Sequence, residues 1–321
     1  MVLTKAKFGI VLPVTAGTSA WDYGMNFERM KEVTRLCEGL GLDSVWAPDH
    51  LMSGRSNETF EAWTILAGLS QVTESMRLGT LVTCPTHRYP AVLAKLVATL
   101  DVMSNGRVDL GIGAGWNRKE QSAYNLPWEE TPKARITRLI ETIKILRGMW
   151  TNDSFTFVGK YYSVKDAVCL PKPMQKPTPP ILIGGKGEQL LLKAVAKYAD
   201  AWNIDEIPPE GYTHKLEVIR NYCEAAGTNY DRIEKTLETY LLISDKREHQ
   251  QRLLDWTNRG GNQTTLDDIK RDYVMGSVEE VTEKFAEYIK VGVQRFLIYF
   301  MDYPTLNSIL PLTRQVMPSL G

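Results

Sequence analysis

Four short stretches of this 321-residue chain carry groups suited to chemistry: Pro48-Asp49-His50, Thr83-Cys84-Pro85-Thr86-His87-Arg88, Gly111 to Glu120, and Gly184-Gly185-Lys186-Gly187. His50 is the best single candidate. An imidazole titrates near neutrality and hydrogen-bonds a heterocycle or a substrate oxygen, which suits proton or hydride chemistry. The competing reading is a histidine whose two nitrogens are both satisfied structurally. Asp49 could orient that ring, accept from a cofactor N–H, or cap a helix. His87 and Arg88 could bind an anion, but just before Pro90 they read better as a wet loop. Cys84 reads as packing. His214 and His249 fall in a predicted outer helix and a polar insertion, where surface histidines are the default.

In the other two stretches the backbone matters as much as the side chains. Val108 to Ile112 reads as a buried strand with alternate glycines, Gly111, Gly113 and Gly115, followed at once by a polar helix start. Lacking Cβ atoms, the Gly113-Ala114-Gly115 backbone can lie close to a flat ring or a phosphate. Asn117 and Glu120 have N-cap and N3 spacing, so Glu120 is either a site acid or half of a capping box. At Gly184 to Gly187 a strand turns into a helix; successive N–H groups there form an anion nest, and Lys186 adds charge for a cofactor phosphate. The bland alternative is a βα turn without a ligand. The dinucleotide fingerprint GxGxxG is absent, because Trp116 stands where its last glycine should be. No GxSxG, P-loop or HExxH occurs.

The elements that must position these groups alternate along the whole chain. Strands are predicted at Phe8–Leu12, Ser44–Ala47, Arg77–Val82, Val108–Ile112, Pro180–Ile183, Ala201–Ile204, Thr236–Ile243 and Arg295–Phe300. Helices are predicted at Phe27–Leu40, Glu61–Val72, Pro90–Met103, 133–150, Gln189–Tyr198, Tyr212–Ala226, Val278–Val291 and Leu306–Val316. Short, uninterrupted apolar strands between helices imply a parallel sheet covered on its outer side. About eight such units in this length favour a closed (β/α)₈ barrel, whose reactive groups belong at the C-terminal strand ends. The reading is a single domain over 1–321, with insertions near 151–179 (a hairpin and a proline-rich return) and 245–275 (a long polar loop, as a lid or disordered).

Composition narrows the partners. Lys+Arg and Asp+Glu both number 38, so neither nucleic acid nor an acidic membrane is expected. Cys37, Cys84, Cys169 and Cys223 are widely spaced and form no CxxC pair, which argues against a metal site and suits a reducing compartment. The N-terminus lacks a signal peptide's apolar core, and no apolar run is long enough for a membrane span. A cytoplasmic protein is expected.

Taken together, the segments Trp46-Ala-Pro-Asp-His50, Leu78-Gly-Thr-Leu-Val-Thr83, Ala98 to Arg107, Leu110-Gly-Ile-Gly-Ala-Gly-Trp116, Pro171-Lys-Pro through Gly185, and Tyr198-Ala-Asp-Ala-Trp-Asn203 resemble the bacterial-luciferase-like superfamily, in its branch that uses the deazaflavin coenzyme F420. The likeness is strong from residue 7 to about 204 and rests on the β/α rhythm beyond. It implies a (β/α)₈ TIM barrel with insertions, binding a flavin-type ring at the strand ends, with the cofactor phosphate at Gly184–Gly187 and His50 beside the reactive carbon. Relatives often have a non-prolyl cis peptide after the third strand, making a bulge behind the ring. Here it would fall near Leu81-Val82, which brings Val82 and Thr83 into the cofactor site.

Two departures bear on substrate. The branch's sugar-6-phosphate dehydrogenases carry a tryptophan four residues after the matching histidine and a glutamate directly after the glycine run, where this chain has Gly54 and Trp116. Nor does the glycine strand closely match the branch's methylenetetrahydromethanopterin reductases. The resemblance therefore implies an oxidoreductase moving a hydride between F420 and an unidentified small organic substrate. His50 and Glu120 would be catalytic. Asp49, His50, Val82, Thr83, Gly113, Ala114, Gly115 and Gly184 to Gly187 would bind the cofactor, with no metal. The alternatives are an FMN-dependent monooxygenase or reductase and a non-catalytic flavin-binding protein of the same fold. Relatives commonly dimerise, so a homodimer is expected.

Overall fold

The computed structural model describes residues 5–20, 26–54, 56–259 and 263–320. The first half of the chain runs β1 (Lys7–Val11), α1 (Phe27–Gly39), β2 (Ser44–Ala47), α2 (Ala62–Ser70), β3 (Arg77–Thr80), α3 (Pro90–Met103), β4 (Val108–Ile112), α4 (Arg118–Ala123) and α5 (Pro132–Thr151). A hairpin, β5 (Phe155–Val158) and β6 (Ser163–Ala167), precedes β7 (Ile181–Gly184), a π-helical turn (Glu188–Leu192) and α6 (Lys193–Tyr198). Then come β8 (Ala201–Asp205), α7 (Pro209–Ala226), β9 (Glu234–Ile243), α8 (Arg247–Asn258), α9 (Leu266–Asp272) and β10 (Val274–Gly276). The chain ends with α10 (Val278–Val291), β11 (Arg295–Phe300), α11 (Ile309–Pro311) and α12 (Met317–Ser319).

Eight parallel strands close in the order β1-β2-β3-β4-β7-β8-β9-β11, with β11 pairing back to β1. Both faces of these strands are buried, which is why they read as continuous apolar runs. Side chains alternate between two cores. Val11, Trp46, Leu81, Leu182, Ala201 and Leu297 fill the barrel interior. Ile10, Val45, Ile183 and Ile298 face outward, into the layer beneath the helices. The expected (β/α)₈ barrel is the fold.

Three local results differ from expectation or sharpen it. β3 leaves the ladder after Thr80, where the Leu81–Val82 peptide is cis, and the chain rejoins β4 when Thr83 N–H donates to Gly111 O at 2.8 Å. The cis bond falls where the resemblance placed it. The insertion after α5 is a hairpin, as expected, tied down by Glu141, whose carboxylate accepts from the N–H groups of Lys160, Tyr161 and Tyr162. Tyr162 Oη then donates to Pro85 O at 2.7 Å, so the hairpin braces the loop after β3.

The 245–275 stretch is not a long loop. It folds as α8, α9 and β10, with residues 260–262 outside the described part. Leu253 and Ile269 bury against Leu242, Met275 and Met301 in a satellite core, and Thr265 with Asp268 forms a capping box on α9. Leu241 pairs with both Phe300 and Val274, so β10 lies on the opposite side of β9 from β11. Among the described residues no helix is long and apolar enough to cross a membrane.

Candidate active site

A cavity of about 520 Å³ opens at the C-terminal ends of the barrel strands, and every expected site residue except Gly187 lines it. Its floor is built by Val82. A Cβ placed on Gly113 would stand 2.7 Å from Val82 Cγ2, and one on Gly184 3.0 Å from Val82 Cγ1. A Cβ on Gly111 would lie 1.8 Å from Thr80 O. Gly111 and Gly113 thus also seat the bulge after β3, while Gly113 to Gly115 line the cavity. Val82 is the shelf that a planar ring would meet. Thr83 is fixed by Trp63, whose Nε1–H donates to its Oγ1 at 3.2 Å.

His50 lies on the cavity wall, its side chain 21% exposed, with Nδ1 3.1 Å from Glu120 Oε2. Its Nε2 carries no hydrogen bond among the described residues, so that nitrogen is left to a ligand. Glu120 is buried and heavily used: Leu51 N–H and Met52 N–H donate to its Oε1 at 2.5 and 3.0 Å. Asn117 caps α4 by accepting from Glu120 N–H, but the Glu120 carboxylate does not return the bond. The capping-box alternative is therefore wrong: the carboxylate turns to His50 and to the Leu51 and Met52 N–H groups instead. Asp49 does not orient His50. It is clamped by Arg88 through Nη1 to Oδ2 at 2.7 Å and Nη2 to Oδ1 at 3.1 Å, and Arg88 also grips Glu61 at the start of α2.

The luciferase-like monooxygenase family matches residues 6–295 of this sequence. The chain belongs to that family. An F420-dependent glucose-6-phosphate dehydrogenase of Amycolatopsis mediterranei is 28% identical over 314 residues, covering 88% of this chain and 91% of its own. A protein of the same description from Microbacterium testaceum is 34% identical over 236 residues, 71% of this chain and 68% of its own. Among solved structures, an F420-dependent secondary alcohol dehydrogenase in complex with an F420-acetone adduct superposes with a TM-score of 0.84. It has 20% identity and covers 99% of this chain and 100% of that one.

In this luciferase-like barrel, His87 is the residue that sequence reading misplaced. It is not in a wet loop: its side chain is 1% exposed, with Nδ1 3.9 Å from Asp49 and Nε2 3.6 Å from Glu120. These separations are too long for hydrogen bonds, so the attraction is between charges. Burial disfavours the charged ring, but the two carboxylates raise its pKa to about 9, making it an imidazolium at neutral pH. In return, burial would raise Asp49, yet His87 and Arg88 bring it down to about 2. Burial likewise opposes Glu120's charge, while His50, His87 and the Met52 N–H hold its carboxyl well below the usual range. Cys84 also lines the cavity, its thiol pushed up by burial and within 3.0 Å of Thr86 Oγ1.

The anion nest is narrower than expected. Gly185 N–H is spent on Asn203 O at 2.9 Å, whereas the N–H groups of Lys186, Gly187 and Glu188 have no acceptor among the described residues. Lys186 Nζ lies 4.0 Å from Asp205. A flavin-type ring carrying a phosphate fits this donor set: free N–H groups and an ammonium at one side, an apolar shelf in the middle. The opposite wall, formed by Asn203, Glu238 and Tyr299, was not anticipated. Its signal is the alternation Thr236-x-Glu238-x-Tyr240 in a buried strand, where polar residues every second position face a wet interior. His214 pairs with Glu188 and His249 with Ser244, both outside the cavity lining. Among the described residues no His, Cys, Asp and Glu group is disposed to hold a metal ion.

Proposed function

We propose that the protein is an F420-dependent oxidoreductase acting on a small organic substrate, with the whole chain working as one barrel domain and its two insertions. The observation that carries the reading is His50, held at Nδ1 by a buried carboxylate and unengaged at Nε2, in the same cavity as the Val82 shelf. The relatives' shared use of F420 supports the choice of cofactor. When bound, the deazaflavin supplies a two-electron carrier that gives or takes a hydride and reacts poorly with O₂.

The chain's own groups do the rest. Lys186 and the N–H groups up to Glu188 hold the phosphate. Val82, Thr83 and the Gly113-Ala114-Gly115 segment flank the ring. His50 Nε2 holds or moves a proton at the substrate's oxygen or nitrogen. Glu120 is a fixed anion that orients the His50 ring through Nδ1, and His87 keeps Glu120 ionised. Trp116, 71% exposed and edge-on to His50 with ring centroids 5.5 Å apart, borders the substrate's entry.

A homodimer is part of the reading. The exposed face of α3 presents Val92, Leu96 and Met103 beside an apolar groove of about 190 Å³ that also touches Trp63 and Ala67. Four free, buried cysteines suit a cytoplasmic setting. The test is an absorbance titration of the purified protein with F420 and with FMN. Saturable F420 binding, followed by cofactor reduction or oxidation across a panel of alcohols, imines and enones, is the expected result. Tight FMN binding with no affinity for F420 would favour a monooxygenase. Binding without any turnover would favour a non-catalytic carrier.

A further inference from the structure

The wall facing the cavity from β8, β9 and β11 has a chemistry of its own. Glu238 projects from the middle of β9 into the cavity, and among the described residues its one hydrogen bond is from Asn203 Nδ2 at 3.1 Å. The amide is locked in that orientation because Thr236 Oγ1 donates to Asn203 Oδ1 at 2.8 Å. No lysine, arginine or histidine pairs with Glu238 among the described residues. The charged and titratable groups around it are Asp205 and Glu206 at the end of β8, Tyr240 on its own strand and Tyr299 on β11. Behind these, Asp272 bears on Glu206, and Lys186 reaches Asp205 from the β7 loop. Tyr299 lines the cavity and stacks on Tyr240, with ring centroids 5.1 Å apart.

We propose that Glu238 sets substrate class by anchoring a basic nitrogen, an amine or an imine, and by turning away anions, sugar phosphates included. This rests on the reading above, in which the cavity holds F420 and a small substrate. With no counter-ion in a desolvated wall the carboxyl keeps its proton, and only a ligand that brings a cation lets it ionise and form an ion pair. An aromatic surface beside it favours the same charge. An anionic ligand would find a carboxyl that cannot ionise beside Asp205, and Lys186, among the described residues, is already turned toward that aspartate.

Burial, reinforced by Asp205, raises Glu238 to about 8, so in the free protein at neutral pH it carries its proton. The proton balance follows. A ligand arriving as ammonium displaces that proton to solvent. A neutral imine or amine takes it from the carboxyl oxygen, leaving an ion pair with no net release.

The test uses a matched series, cyclohexylammonium, cyclohexanol, cyclohexanecarboxylate and glucose 6-phosphate, measured by calorimetry in two buffers of different ionisation heat. The F420 titration is read first by cofactor absorbance and judges the cofactor alone. The ligand series then judges Glu238, in free and F420-loaded protein alike. The expected result is cyclohexylammonium binding at least about tenfold tighter than cyclohexanol, with about one proton released and no binding of either anion. Its affinity should rise about tenfold per pH unit below pH 8. E238Q should lose both the ammonium preference and the proton release while keeping F420 affinity. Anion binding as tight as that of the ammonium, absence of ammonium binding, or proton release persisting in E238Q would overturn the proposal; the wild-type series decides it even if the variant does not fold.

Discussion

At the scale of single residues, the site is a chain of alternating charges, Arg88, Asp49, His87 and Glu120, that ends on the His50 ring. Removing His50 removes the ring whose Nε2 faces the cavity without a hydrogen bond among the described residues. His50→Ala should lower turnover by about 100-fold or more with little change in F420 affinity, read by steady-state kinetics beside the cofactor titration. An unchanged rate would reduce His50 to a positioning role. Glu120→Gln keeps an acceptor for Leu51 and Met52 N–H but removes the charge shared by two histidines. Turnover should fall about tenfold or more, and the His87 imidazole, followed by NMR, should titrate below its wild-type value of about 9. The same pair makes stability depend on pH. His87 is raised from 6.5 to about 9, so its contribution is complete below pH 6.5 and is lost as pH rises through 9. Asp49, lowered from 3.8 to about 2, contributes above pH 3.8 and loses that contribution as pH falls through 2. Urea unfolding between pH 6.5 and 9.5 should show falling stability, and His87→Gln should flatten that slope.

At the scale of elements, the bulge after β3 and the glycines that receive it form one device. Gly113→Ala would drive a methyl into Val82 Cγ2, and the shelf must shift. The expected cost is about 1–3 kcal/mol of stability together with weakened F420 binding, measured by urea denaturation and cofactor titration. This device was half legible in the sequence. The glycines were plain in the Val108–Ile112 strand and its exit, but what they accommodate comes from another strand and shows only in three dimensions. Strands such as Ser44–Ala47 and Arg295–Phe300, and helices such as Pro90–Met103 and Val278–Val291, have the bounds the sequence suggested. Continuous apolar runs mark such strands, and a proline or a capping box marks the start of such helices. The helices α8 and α9 escaped because each buries a single residue, Leu253 or Ile269, too little for an apolar stripe to register. His87 escaped for a related reason: a loop residue is exposed by default, and the two carboxylates that enclose it lie 38 and 33 residues away in sequence.

At the scale of the whole molecule, α3 has two duties. Its inner face packs on β4 and α5, and its outer face leaves Val92, Leu96 and Met103 in solvent. If that face joins two copies, Leu96→Glu should raise the dimer dissociation constant about tenfold or more, measured by sedimentation or light scattering, while F420 binding is retained. A wild-type protein that stays monomeric at tens of micromolar would remove the homodimer from the reading. The far wall of the barrel carries another long-range link. Tyr299 stacks on Tyr240, which in turn meets Tyr273 at 4.6 Å and Trp256 at 6.0 Å, both from the segment between β9 and α10. That column of rings gives an outlying pair of helices a mechanical hold on the reaction chamber without a single catalytic group among them. A substitution at Trp256 or Tyr273 would therefore bear on the shape of the chamber at Tyr299 without touching His50 or Glu120.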